Sequence, residues 1–235
     1  AYALNDAAEL FAYFGKEAQA THYKELAASI SKATINRCWD STRKLVADSP
    51  EKLVFSQHAN IMAALANAEL PVDKKDLINR VSNDTSLIQA TIYYRFYLLR
   101  AMKKVGLGDR YLEMLDPWKA MLKLGLSTFS EKYDPTRSDC HAWSASPTYE
   151  LLATVCGIEP AEAGFKSVKI EPHLGNLKWI EGSMPHPNGT IKVKFTQTKT
   201  GGLTGEIQLP AGLKGTYVFK DIKIALKEGV NRINN

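Results

Sequence analysis

Up to about residue 160, apolar positions return with the 3.6-residue period of a helix. Leu4, Ala7, Phe11 and Phe14 form one set, Tyr23, Leu26, Ala27 and Ile30 a second, and Ile61, Ala64 and Leu65 a third. Leu77, Ile78 and Val81, then Ile88, Ile92, Phe96 and Leu99, continue the series. Each set predicts a helix that buries one stripe. Gly15, the loop at Pro50, Pro71, Gly106 and Gly125 punctuate the sets, and Asp73 and Asp109 stand where N-caps belong. Pro117 starts a helix or kinks one. Ser146 is expected to cap a last helix with Pro147 at its first position, closing at Gly157. About seven helices joined by short loops follow from this spacing, which makes them antiparallel neighbours.

After "GIEPAEAG" the period falls to two. Val168 and Ile170 alternate with lysines, as do Ile191, Val193 and Phe195, and then Ile222, Ile224 and Leu226. "PNGT" at 187–190 and "TGG" at 200–202 are hairpin turns. The expected organisation is α then β: a helical domain over 1–160 and a small antiparallel β-sandwich over 161–235. Trp179, the one tryptophan among these strands, is expected to pack against the neighbouring domain.

Composition narrows the class. The chain has 235 residues, 45% of them apolar and 23% charged, which is ordinary globular composition. Its formal charge of +5 comes from scattered lysines that alternate with apolar residues, as in "IKVKF", so it describes solvated faces and not a nucleic-acid footprint. Cys38, Cys140 and Cys156 form no CxxC pair and no metal-ligand spacing with histidine, so neither a metal nor any other cofactor is expected. No apolar run is long enough to span a bilayer. The chain opens without methionine in what already reads as amphipathic helix, which suggests a piece of a longer polypeptide.

The chemistry concentrates in "TFSEKYDPTRSDCHAWSASP", 128–147, an irregular stretch between two helical regions. Glu131 is a candidate general base, against the plainer alternative of a solvated loop carboxylate. Asp134 and Asp139 compete for the same role, and Asp139 is as well suited to pairing with Arg137. His141, ten positions after Glu131, is a ligand candidate or a core histidine with one satisfied ring nitrogen. Trp143 is an aromatic face for a ligand or simply core. Ser144 and Ser146 lack the glycines of a nucleophile elbow, and Cys140 beside His141 does not by adjacency make a thiolate–imidazolium couple. What remains suits sugar chemistry: a carboxylate to activate water, polar donors for ring hydroxyls, and aromatic faces for ring C–H groups.

On "DPWKAMLKLGLSTFSE", "SDCHAWSASP" and "FKSVKIEPHLGNLKWIEGSMPHPNGTIKV" the chain resembles the bacterial α-L-rhamnosidases of glycoside hydrolase family 78. "FSQHANIMAALAN" and "YYRFYLLRAMKKVG" look like preceding helices of the same fold. The resemblance implies the later part of an (α/α)6 barrel followed by a β-sandwich, and an inverting hydrolase of terminal α-L-rhamnose. It matches Glu131 to the general base and His141 to a ligand of the rhamnose hydroxyls, with Trp143 beside it. Ser130 departs from the family's frequent aromatic at that place. The general acid and most rhamnose ligands are implied to lie upstream, so the missing N-terminal part of the polypeptide is an expected partner, as is a rhamnose-containing carbohydrate. The fragment alone is expected to be inactive and to self-associate. The resemblance further implies a periplasmic or secreted enzyme, the cytoplasm being the alternative. Two other classes fit the residues: another (α/α)6 carbohydrate enzyme, and a non-catalytic helical module with a carbohydrate-binding sandwich.

Overall fold

The computed structural model describes residues 1–235, which fall into two compact units: Ala1–Leu107 with Asp134–Arg137, and Gly108–Tyr133 with Ser138–Asn235.

In the first unit, α1 (Tyr2–Tyr13) and α2 (Glu17–Cys38) pack together across a turn at Gly15. Short side chains allow it: Ala8, Ala20 and Ala27 are buried. The expected Leu4–Phe14 stripe is only partly realised, since Leu4 and Phe11 are half-buried while Phe14 is exposed. Two short strands, β1 (Trp39–Asp40) and β2 (Leu45–Val46), then lead to α3 (Gln57–Leu65), α4 (Lys74–Asn83) and α5 (Arg95–Lys104). Asp73 caps α4 as expected, accepting from Asp76 N at 3.0 Å, and Ser56 does the same for α3. The core between them comprises Leu45, Ala47, Phe55, Leu77, Val81 and Leu87.

Two amides with almost no exposure brace this core. Asn60 exchanges hydrogen bonds with both backbone groups of Val46, at 2.9 and 3.0 Å, and also donates to Ser56 O. Gln57 donates to Val81 O and accepts from Ala90 N. Each buried amide atom thereby recovers the hydrogen bonding it loses on leaving water.

The second unit opens with a 3₁₀ helix, Gly108–Leu115, followed by α6 (Asp116–Lys123) with Pro117 in its first turn, so the proline starts a helix. Asp109 is not an N-cap there; its carboxylate accepts from Gly175 N at 3.3 Å instead. The loop after α6 contains β3 (Lys132–Tyr133) and β4 (Thr136–Arg137). A 3₁₀ turn, Ala142–Ser144, precedes α7 (Ser146–Glu150), which runs on through a π-helical turn, Leu151–Val155. Ser146 is the first helical residue and makes no capping bond, because the segment enters the helix from the preceding 3₁₀ turn and not from extended backbone. Gly157 ends the segment with φ +74°.

The sandwich follows as β5 (Ile158–Pro160), β6 (Ser167–Ile170), β7 (Trp179–His186), β8 (Gly189–Gln197), β9 (Leu203–Leu209), β10 (Lys214–Phe219), β11 (Ile222–Leu226) and β12 (Gly229–Asn234). One sheet has the order β11-β10-β6-β5 and the other β12-β9-β8-β7. All pairs are antiparallel except β6 with β10. Phe195 of one sheet and Tyr217 of the other, both fully buried, meet with ring centroids 5.8 Å apart. Ile222 and Ile224 remain largely exposed, since β11 is an edge strand, and only Leu226 of that set is buried. Trp179 is 63% exposed instead of packed against a neighbouring domain.

Candidate active site

Gly125, at φ +74°, turns the chain out of α6 and releases the polar stretch. Its two ends then run back to back. His141 N donates to Phe129 O at 2.7 Å, Glu131 N donates to Ser138 O at 3.2 Å, and Thr128 Oγ1 donates to Asp139 O. These bonds place Glu131 on one arm of the loop and His141 on the other. Both side chains are half-buried.

His141 Nδ1 lies 3.2 Å from Ser138 Oγ, a contact that orients the imidazole through one ring nitrogen. The loop is pinned beneath. Trp118, nearly buried, donates from Nε1 to Ser144 O at 2.7 Å, immediately beyond the 3₁₀ turn's tryptophan. Ser130, next to Glu131, is fully buried, so a small side chain fits where the resemblance led to an aromatic. Trp143 is 70% exposed, which removes the core alternative and leaves its indole face open. Asp134, Asp139 and Cys140 are exposed.

Sequence reasoning missed a buried acid just after the loop in sequence. Glu150, at the end of α7, has no exposure and accepts from Thr154 Oγ1 at 2.5 Å. Tyr111 is also buried, and its hydroxyl is pushed well above the usual phenol range, first by burial and then by the negative charge of Glu150. The i, i+4 spacing of Glu150 and Thr154 in "YELLAT" was the available signal. The carboxylate is shielded from solvent. No group of three or more His, Cys, Asp or Glu is placed to hold a metal ion.

An extended arm with a carboxylate, facing an arm with an oriented imidazole and followed by an open indole, can activate water beside a polyhydroxylated ligand. Family models give this geometry its setting. Residues 1–155 match the bacterial alpha-L-rhamnosidase 6 hairpin glycosidase domain, and residues 157–233 match the bacterial alpha-L-rhamnosidase C-terminal domain. The chain belongs to the bacterial α-L-rhamnosidase family.

Solved rhamnosidases have the same fold. The GH78 family rhamnosidase of Bacillus sp. GL1 is 23% identical, with a TM-score of 0.83 over 94% of this chain and 25% of its own. The α-L-rhamnosidase of Streptomyces avermitilis, solved with L-rhamnose, is 19% identical with a TM-score of 0.81, over 98% of this chain and 26% of its own. That of Aspergillus terreus is 18% identical with a TM-score of 0.81, over 96% and 28%. The rhamnosidase-family chain thus spans about a quarter of these relatives' length. No curated protein matches it.

Proposed function

We propose that this chain is the C-terminal portion of an inverting α-L-rhamnosidase that removes terminal α-L-rhamnose from plant or bacterial glycans or glycosides. The catalytic part lies within 1–160, and the sandwich, 161–235, supports it. Glu131 is the general base and deprotonates the attacking water. His141 donates to a rhamnose hydroxyl, and Trp143 covers the apolar face of the sugar. The hairpin bonding of 128–131 to 138–141 supports this reading most directly, because it fixes a carboxylate and an oriented imidazole on facing arms of one loop. Inversion requires a second carboxyl group, roughly 6.5–9.5 Å from the base, to protonate the leaving oxygen. The buried Glu150 is not that acid, and the remaining part of the polypeptide supplies it.

The test is Glu131→Gln in the complete enzyme, which keeps the shape and removes the base. Its kcat for an aryl α-L-rhamnoside is expected to fall by about two to four powers of ten with little change in KM. Asp134→Asn and Asp139→Asn are expected to remain close to the parent. Near-normal turnover by the Glu131 variant, or a larger loss at Asp139, overturns the assignment.

A further inference from the structure

The sheet β12-β9-β8-β7 turns Ile180, Ile191, Val193, Phe195 and Ile207 into the core, so the alternate residues form its outward face. Strand register arranges that face in rows. Glu181 stands opposite Lys194, then Glu206, then Arg232; Ser183 stands opposite Lys192, then Gln208, then Val230. Residues of these two rows line a depression of ≈ 410 Å³. Trp179 is on the same face of β7, two residues before Glu181, and 63% of it is exposed.

The charges of the first row close on themselves: Lys194 lies 3.3 Å from Glu181, and Arg232 lies 3.6 Å from Glu206. Lys192 has no carboxylate opposite it; its cross-strand neighbours are the hydroxyl of Ser183 and the amide of Gln208. The face therefore offers a cation, uncharged hydrogen-bonding groups on both sides of it, and an aromatic plane four residues along β7. At about 3.3 Å per residue that plane is roughly 13 Å away, a span of two to three sugar rings.

We propose that this face is a second carbohydrate site, which holds an acidic glycan without cleaving it: Trp179 stacks on one ring, and Lys192 takes a uronate carboxylate between Ser183 and Gln208. A protein partner fits poorly, since Trp179 and Val230 are separate and form no continuous apolar patch. The site goes beyond the hydrolase reading and does not depend on it.

The test is calorimetric titration of the 235-residue chain with oligosaccharides of galacturonate, glucuronate and mannuronate, each beside its methyl ester. At least one acid is expected to bind, more weakly as salt is raised and at least tenfold more tightly than its ester. Trp179→Ala is expected to weaken that binding tenfold or more, and Lys192→Gln to abolish the preference for acid over ester, both with the parent's melting temperature because the positions are exposed. His141→Ala, which removes the proposed ligand of the candidate active site, is expected to bind the acid as the parent does, so loss of the catalytic assignment leaves this site standing. Absence of binding by all three acids, equal binding of an ester, an unaffected Trp179 variant, or loss of binding on His141→Ala overturns the proposal.

Discussion

His141, the proposed ligand of rhamnose, shows how local bonding orients one side chain. Ser138 Oγ engages Nδ1, and the bond from His141 N to Phe129 O fixes the backbone beneath the ring, so in its proposed role the imidazole would meet a sugar hydroxyl with its direction already set. Replacing it with alanine in the complete enzyme is expected to cost about 1–3 kcal/mol of rhamnose affinity by calorimetry, with little change in thermal unfolding, because the proposed hydrogen bond to the sugar is lost. Loss of melting temperature without loss of affinity would instead make His141 structural. The cysteines offer a contrast in exposure. Burial pushes the Cys156 thiol up to about 11, whereas Cys140 is exposed. At pH 8 a thiol reagent is expected to modify Cys140 quickly and Cys156 only on unfolding. The sign of the pH dependence follows from the raised value. The unfolded chain ionises this thiol near 9.0 while the native state keeps it neutral, so its share of stability is full below pH 9 and falls as pH rises through about 11. Urea melts at pH 8 and pH 10.5 measure the difference.

At the scale of elements, the junction between α7 and the sandwich depends on close approach. A Cβ at Gly157 would lie 2.1 Å from the carbonyl carbon of Glu171, and the residue already holds φ +74°. Gly106 holds a similar φ of +78° but has nothing within 4 Å. Gly106→Ala is therefore expected to cost about 1 kcal/mol through backbone strain alone, and Gly157→Ala clearly more, by comparison of denaturation midpoints. Equal costs would show that the Glu171 backbone moves aside. The helix ends were legible to different degrees for a local reason. Asp73 caps α4 because the chain enters from extended backbone, but Ser146 follows a 3₁₀ turn, where a capping geometry is not available.

For the whole molecule, the apolar residues left outside carry the prediction. Leu10 and Tyr13 on α1, Phe14 just after it, and Leu26 and Ile30 on α2 are all more than a third exposed. Apolar exposure of this extent on two packed helices favours association. The 235-residue chain is expected to sediment as more than a monomer at micromolar concentration. It is also expected not to hydrolyse an aryl α-L-rhamnoside, because the proposed base has no acid partner within it. Turnover by the purified chain that disappears on Glu131→Gln would locate both carboxyl groups here and overturn the placement of the acid.

The sequence by itself determined the change from period 3.6 to period 2, hence helices followed by strands, and the alternation that buries Ile191, Val193 and Phe195 while leaving Lys192 and Lys194 outside. It also determined the polar loop, because twenty residues without an apolar period cannot be core, and the motifs within that loop carried the family resemblance. Only the tertiary structure decided which groups are taken from water. Gln57 and Asn60 look like ordinary helix-surface amides until Val46, Val81 and Ala90 come to meet them, and Glu150 looks like a solvated acid until Tyr111 is packed nearby. The single parallel pair, β6 with β10, and the open position of Trp179 were decided there as well. Periodicity is a property of neighbours along the chain, whereas burial of a polar group and the exposure of an aromatic depend on partners tens of residues away.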